Sequence, residues 1–256
     1  MTTSIPVTSY AQRHADSLAR PAVDLRHLLA SAVRQQGPRP LCVPFSIAAA
    51  HEATRVQMGE PGAEMLAVEP LWQHCFDNGQ AGHGGTTLTA GGEAMQAKGQ
   101  TVEAWWPYNH TLGAGTEPEP AAATQAAWYT AATIATPLAH DGIEDLIEDA
   151  LVVGLPLVLV VELTQHFEEP AADGEIALPA LTAPVGDYHA VLALGAATRT
   201  DGTSRRLLIR NTWGLGWGVG GYGWLPLDYL IAFAVQAATI DPTSLATTPT
   251  AAEVGP

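Results

Sequence analysis

The sequence contains only two cysteines, Cys42 and Cys75, among its 256 residues. Two cysteines form one disulfide bond at most, which excludes a small fold held together by several bridges. The chain is therefore expected to be intracellular, or to be secreted without needing bridges. Its first twenty residues lack the apolar segment of a signal peptide. We accordingly expect a cytoplasmic protein, or one that a specialised secretion system exports without a cleaved signal peptide.

Basic residues and long apolar runs are also scarce. Lys and Arg total 11 against 26 Asp and Glu, which gives a formal net charge of -15. Such a surface repels phosphate groups, so no nucleic-acid or membrane partner is expected. The longest apolar run, residues 155–161, is too short to span a bilayer and is typical of a buried strand. Hydrophobic residues make up 47% of the chain and charged residues 14%, which predicts a globular protein with a sizeable core.

The apolar pattern changes along the chain. Periodicity and end signals predict helices at residues 43–57, 70–76, 87–98 and 143–153. They predict strands at residues 157–163, 189–195, 207–210 and 222–225, with a hairpin turn at residues 200–203. We interpret Glu144, Asp145, Glu148 and Asp149 as the solvated face of one helix. A mainly helical first half and a mainly β second half predict an α+β fold with two lobes and a cleft between them.

The same pattern suggests where the domain begins and ends. The Pro-, Ala- and Gly-rich residues 111–126 are predicted to be a surface connector between the two halves. Residues 1–20 are expected to form a flexible arm, and residues 241–256 a disordered tail. Residues 21–240 then form the domain, with a helical lobe over about 21–125 and a β lobe over about 126–240.

Cys42 lies where the segment VRQQGPRPL meets the first predicted helix. Backbone N–H groups and the helix dipole at a helix N-terminus favour an anion, so we expect them to lower the pKa of the Cys42 thiol. The thiolate is the nucleophilic form of cysteine. Considered alone, Cys42 is better explained as a small buried apolar residue, because free cysteines are often buried.

Two later motifs change that interpretation. The segment DYHAVLALG places His189 at the start of a strand, and NTWGLGWGVGGYGW places Asn211 at the end of another. A histidine can accept the thiol proton, and an asparagine can hold the imidazole in the required tautomer. Singly, His189 is better explained as a core histidine and Asn211 as a turn residue. Together with Cys42 they predict a Cys-His-Asn catalytic triad.

The segments QGPRPLCVPFS, DYHAVLALG and NTWGLGWGVGGYGWLPLDYL resemble papain-like cysteine peptidases, and the resemblance extends over about residues 23–230. His189 follows Cys42 at about the separation typical of that family, roughly 130–150 residues, and Asn211 follows somewhat further on. The resemblance implies a papain-like two-lobe fold. Cys42 would lie on the helical N-terminal lobe, and His189 and Asn211 on the antiparallel β C-terminal lobe, with the active-site cleft between the lobes.

The resemblance also implies roles beyond the triad. Gln36, six positions before Cys42, matches the family's oxyanion donor and would act with the Cys42 backbone N–H. The alternative for Gln36 is a loop residue on the surface. Trp213 matches the indole that covers the His–Asn hydrogen bond and keeps water away from it.

Four residues are candidates for substrate binding: Gly84, Gly85, Tyr188 and Trp213. Gly84 and Gly85 match a family pair whose backbone binds the substrate strand, although a plain turn explains two glycines nearly as well. Tyr188 precedes the catalytic histidine, and its bulk would narrow the cleft and favour small substrate side chains.

The sequence departs from the family where disulfide bonds would form. Bridged members have a cysteine three positions before the nucleophile, where this chain has Arg39. Residues 81–85, AGHGG, lack the cysteine of the family motif, so we expect Cys75 to be a free buried thiol. Only about twenty residues precede the domain, so no long pro-segment is expected. The chain therefore resembles a bacterial-type member without disulfides or pro-segment, which an inhibitor or immunity partner could restrain.

Three functional hypotheses follow from these residues. The first is a monomeric cysteine peptidase that hydrolyses a protein or peptide substrate through the triad and an acyl-enzyme. The second keeps the site but uses it for deamidation or acyl transfer, for example in a toxin effector that acts on one specific protein. The third is a catalytically inert papain-like binding module. No cofactor is needed, and the scattered histidines predict no metal site.

Overall fold

The computed structural model describes residues 10–60, 64–138 and 142–250. Its α-helices are Tyr10–Ala19 (α1), Cys42–Gln57 (α2), Glu69–Asp77 (α3), Leu88–Ala97 (α4), Ile143–Val152 (α5), Gln165–Glu168 (α6) and Leu227–Phe233 (α7). Its strands are Val23–Asp24 (β1), Ala81–Gly82 (β2), Gly85–Thr86 (β3), Trp128–Thr130 (β4), Thr133–Ala135 (β5), Leu157–Glu162 (β6), Tyr188–Thr198 (β7), Arg205–Arg210 (β8), Tyr222–Pro226 (β9), Ala234–Ile240 (β10) and Ala246–Thr248 (β11). Short 3-10 helices occupy Arg26–Leu28, Ala121–Gln125 and Pro242–Ser244.

The helices and strands predicted from the apolar pattern are confirmed as α2 to α5 and β6 to β9. Helix α2 begins at Cys42 and carries Pro44 in its first turn, where the missing N–H group costs no hydrogen bond. Helix α4 is capped by Thr87, whose hydroxyl accepts the Ala90 N–H at 3.1 Å. The hairpin turn predicted at residues 200–203 lies between β7 and β8.

One antiparallel sheet forms most of the second half. Its strand order is β5-β10-β6-β7-β8-β9, and β1 pairs with the far part of β7. Helix α2 packs against β6 and β7 on the one hand and against α3 and α4 on the other. The helix that begins at Cys42 therefore lies at the junction of the helical lobe and the sheet.

The predicted boundary between the lobes needs correction. Strand β1 falls within the predicted helical lobe, yet it pairs with β7 of the sheet. Strand β4 falls within the predicted β lobe, yet Tyr129 exchanges hydrogen bonds with Gln100 and packs among the apolar side chains of the helical lobe. Such pairings join residues far apart in sequence, and local periodicity carries no information about them.

Both ends of the domain are more ordered than predicted. Part of the expected flexible arm is helix α1, and the carbonyl of Leu18 near its C-terminal end accepts the Thr198 hydroxyl at 2.8 Å. Part of the expected disordered tail is β11, which pairs with β4. Long-range contacts thus order segments whose own sequence shows no clear pattern. Residues 1–9 and 251–256 of these predictions lie outside the described residues.

The acidic face of α5 is also only partly solvated. Glu148 is buried and pairs with the buried Arg205 at 2.6 Å, whereas Asp145 is exposed and pairs with Arg20 at 2.6 Å. The expectation of a wholly solvated face is therefore wrong at Glu148, because Arg205 on β8 lies beneath the helix.

Candidate active site

Cys42 is held at the end of an ordered loop. The Leu41 N–H donates to the Arg39 carbonyl at 2.9 Å, and the Gln36 N–H donates to the Thr212 carbonyl at 2.8 Å. The loop before the cysteine is thus tied to the residues that follow Asn211. Cys42 itself is half-buried and free of any disulfide bond, and Cys75 is a free buried thiol, as predicted.

His189 and Asn211 are brought together by strand pairing. His189 is the second residue of β7, and Asn211 directly follows the neighbouring strand β8. The His189 Nε2 and the Asn211 Oδ1 lie 2.7 Å apart. The same Oδ1 accepts the Thr212 N–H at 2.7 Å, so His189 Nε2 is the donor and carries the proton. The Nδ1 atom is then the imidazole nitrogen that remains for chemistry.

Aromatic rings enclose the His–Asn pair. The Trp213 indole stacks on the His189 imidazole with 4.4 Å between ring centroids and 33° between planes. Phe167 meets His189 edge-on at 6.0 Å. His189 and Asn211 are both buried. The hydrogen bond between them is therefore shielded from water, at the place that the resemblance assigned to Trp213.

Burial determines the charge state of the two candidate catalytic groups. Burial raises the pKa of the Cys42 thiol above its usual value, and backbone hydrogen bonds from Ala190 and Val43 offset this only in part. The expected lowering at the helix start is therefore wrong, since desolvation outweighs the effect of the helix terminus. Burial also lowers the pKa of His189 to about 4, although the hydrogen bond to Asn211 opposes this shift. Burial thus disfavours the charged form of each group when it is considered alone.

Cys42 and His189 line the same open cavity, which has a volume of about 430 Å³. Three of the four residues expected to bind substrate, Gly84, Gly85 and Tyr188, line it too, whereas Trp213 is not among its lining residues. Other lining residues were not singled out from the sequence: Gln80, Val160, Val235 and Gln236. None of the described residues that line this cavity is Asp, Glu, Lys or Arg. The cavity therefore offers apolar surface and neutral hydrogen-bonding groups next to the thiol.

Sequence reasoning missed one wall of this cavity for a specific reason. Val235 and Gln236 belong to β10, a strand that the apolar pattern did not reveal. Gly84 lies in the tight turn between β2 and β3, and Gly85, with a φ of 87°, is the first residue of β3. A positive φ suits glycine, which explains that residue without any appeal to substrate binding.

Gln36 is buried beside the triad and is not a surface loop residue. Its Nε2 donates to the Arg39 carbonyl at 2.8 Å, and its Oε1 accepts the Thr212 hydroxyl. An amide Nε2 carries two hydrogens, so one contact leaves a second for another acceptor. Gln36 is not among the residues that line the cavity, and its oxyanion role stays a prediction.

Neither a metal-binding cluster nor a membrane span is found in the described part of the chain. Residues 10–60, 64–138 and 142–250 contain no group of three or more His, Cys, Asp or Glu side chains suited to hold a metal ion. Over the same residues, every helix is too short or too polar to cross a bilayer.

Two features define this molecule as a thiol hydrolase: its two-lobed fold, and a cysteine that lines the same cavity as a histidine oriented by a hydrogen bond. The sequence profile of the papain family cysteine proteases matches residues 20–230, so the chain belongs to the papain family of cysteine proteases. The resemblance inferred from the motifs and the predicted α+β, papain-like fold are thereby confirmed.

Solved structures share the fold. Xylellain, a cysteine protease from Xylella fastidiosa, aligns with a TM-score of 0.70 at 22% identity, over 93% of this chain and 94% of that one. The bromelain protease from Ananas comosus, in complex with the inhibitor E64, aligns with a TM-score of 0.63 at 19% identity, over 87% and 99%. The Carica candamarcensis cysteine protease CMS1MS2, in complex with E-64, gives 0.62 at 21% identity, over 86% and 98%. Comparison with curated protein sequences gives no match.

Proposed function

We propose that this cysteine protease hydrolyses peptide bonds through a Cys42–His189–Asn211 triad and an acyl-enzyme. The observation that carries the proposal is the buried 2.7 Å hydrogen bond from His189 to Asn211, next to the cavity that His189 shares with Cys42. This bond engages Nε2, so Nδ1 is the ring nitrogen left to exchange a proton with the thiol. A protein or peptide would be the substrate, and neither a metal nor a cofactor takes part.

The reaction begins when Cys42 transfers its proton to His189 Nδ1. The thiolate attacks the substrate carbonyl carbon, a C–S bond forms, and the carbonyl π electrons move to oxygen. The Gln36 amide and the Cys42 backbone N–H stabilise this oxyanion. His189 then returns the proton to the leaving nitrogen as the C–N bond breaks, which releases the amine and leaves a thioester. Water attacks the thioester while His189 accepts its proton. The C–S bond then breaks to release the acid, and His189 returns the proton to the Cys42 sulfur, which restores the thiol.

The raised pKa of Cys42 and the lowered pKa of His189 are compatible with this sequence of steps. Burial disfavours an isolated thiolate and an isolated imidazolium, but after proton transfer the two opposite charges stabilise each other. Asn211 contributes in the same direction, because its carbonyl oxygen accepts from the positively charged ring. Trp213 keeps water from competing for that bond, and Gly84, Gly85 and Tyr188 form the surface that the substrate meets.

The experiment is covalent labelling with E-64, an epoxide that reacts with catalytic thiols. Intact mass is measured for the wild type, Cys42→Ala and Cys75→Ala after equal exposure. We expect one adduct on the wild type and on Cys75→Ala, and none on Cys42→Ala. Absence of an adduct on a wild type that still reacts with a simple maleimide would contradict a reactive Cys42.

A peptide-library assay then defines the reaction. New termini in the products support hydrolysis of peptide bonds, whereas a gain of about one mass unit without cleavage would support deamidation instead. An adduct at Cys42 without any turnover of peptides or proteins would argue against the peptidase function.

A further inference from the structure

Arg39, three residues before Cys42, has a fully buried guanidinium group whose five N–H donors are all engaged. Both amino groups bind the carboxylate of the equally buried Glu69, the second of them at 3.1 Å. The remaining three donors bind the carbonyls of Asn109 at 2.8 Å, Gly113 at 3.0 Å and Gly115 at 2.9 Å. Only a planar fork with five donors can satisfy this set of acceptors, and lysine offers three donors from a single nitrogen.

The acceptors of Arg39 are themselves tied together. Glu69 begins helix α3 and also accepts the Asn109 backbone N–H at 3.1 Å. The Trp72 indole N–H, one turn further along α3, donates to the Gly115 carbonyl at 2.9 Å. Arg39 therefore joins the loop before Cys42 to both α3 and the loop over residues 109–115. We call this set of contacts the Arg39 clamp.

The backbone of Arg39 connects the clamp to the candidate catalytic groups. Its carbonyl accepts the side-chain amide of Gln36 at 2.8 Å and the N–H of Leu41 at 2.9 Å. Tyr108, whose ring lies 5.0 Å from the Arg39 guanidinium, donates its hydroxyl to the Gln36 carbonyl. The side chain of Arg39 thus fixes the one carbonyl that orients both the Gln36 amide and the residue before Cys42.

We propose that Arg39 is a positioning residue, whose clamp holds the Gln36 amide in the orientation in which it donates to the oxyanion. This inference rests on the proposed function, since it assigns Arg39 a role in the chemistry of that site. Its effect on catalysis passes through Gln36, because the Gln36 amide is the catalytic group that Arg39 contacts. Loss of the clamp should therefore lower kcat and leave KM nearly unchanged.

The test is a double-mutant cycle between Arg39→Lys and Gln36→Ala in the full chain, with kcat and KM measured on a cleaved peptide. Arg39→Lys keeps the charge opposite Glu69 but loses the fork. We expect kcat to fall about tenfold or more in the wild-type background and by less than about twofold when Gln36 is already alanine. An equal fall in both backgrounds, or no fall in kcat, would overturn the proposal.

Arg205→Lys is the matched control. Arg205 is also buried, pairs with Glu148, and donates to the carbonyls of Arg20 and Pro21 at 2.9 and 2.8 Å, remote from the cavity. Its substitution should lower the melting temperature as Arg39→Lys does, without the fall in kcat. A matching fall in kcat would show that any weakened buried ion pair has this effect, which contradicts a specific role for Arg39.

Two further measurements separate the possible failures. If Arg39→Lys does not fold, the double variant Arg39→Met/Glu69→Met removes both buried charges together, and a wild-type kcat in that protein overturns the proposal. If the wild type cleaves nothing, the proposed function has failed. Hydrogen–deuterium exchange of residues 36–42 then tests whether the Arg39 clamp orders the loop before Cys42. Faster exchange in Arg39→Lys than in Arg205→Lys supports the clamp, and equal exchange refutes it.

Discussion

Replacing Asn211 with alanine removes the acceptor that orients the His189 imidazole. The bond lost is short, at 2.7 Å, buried, and shielded by the Trp213 ring. A hydrogen bond to a charged group in such a setting contributes about 1.5–3 kcal/mol. Because the imidazole is positively charged only after it accepts the thiol proton, most of this loss should fall on the transition state. The expected fall in kcat/KM is therefore about 10- to 150-fold.

The assay compares kcat/KM, the rate of E-64 labelling and the melting temperature for the wild type, Asn211→Ala and Asn211→Asp. Asn211→Asp keeps an oxygen in place of Oδ1, so it should retain the bond to His189 and stabilise the imidazolium further. Labelling of Cys42 should slow in Asn211→Ala in step with kcat/KM, since both depend on forming the thiolate. A folded Asn211→Ala enzyme with wild-type kcat/KM would refute the reasoning.

The remaining predictions concern stability and shielding. Burial lowers the pKa of His51 to about 4 from its usual 6.5, so the unfolded chain binds more protons between these pH values. His51 should therefore contribute up to roughly 3 kcal/mol to the fall in the free energy of unfolding as pH drops through that window. His189, whose pKa burial also lowers to about 4, adds its own share, and denaturant titrations should show a smaller total fall in His51→Gln. Glu148→Ala leaves Arg205 buried without its carboxylate and should cost about 3–5 kcal/mol in urea unfolding, whereas alanine at the exposed Asp145 should cost about 1 kcal/mol or less. Trp213→Ala exposes the His189–Asn211 bond to water and should lower kcat/KM about tenfold; an unchanged value would show that the indole plays no part in shielding.

The candidate site was predictable because each of its members stands in a distinctive local context. Cys42 follows a loop rich in Gln, Gly and Pro, and it precedes an alanine-rich helix. His189 and Asn211 flank strands whose apolar runs are easily recognised. The same local signals predicted helices α2 to α5 and strands β6 to β9. Where neighbouring residues in the sequence determine an element, the prediction agreed with the structure.

The errors arise where distant residues decide the outcome. The helix start, a local feature, predicts a lowered thiol pKa, but burial of Cys42 in the folded molecule outweighs it and raises the pKa. The local pattern places Glu148 on a solvated face, because its buried partner Arg205 lies 57 positions away and leaves no signal near Glu148. The Arg39 clamp joins residues 30 to 76 positions apart, and three of its acceptors are backbone carbonyls that no side-chain pattern reveals.

The Arg39 clamp also determines how the site responds to reducing agents. The family motif has a cysteine at this position in bridged members, and any disulfide bond is open to exchange with added thiol reagents. Ionic and carbonyl contacts do not react with thiols, so a strong reductant can maintain Cys42 in its nucleophilic form without loosening the loop that supports it. The nucleophile and its support are thus chemically independent: redox conditions act on the first and leave the second unchanged.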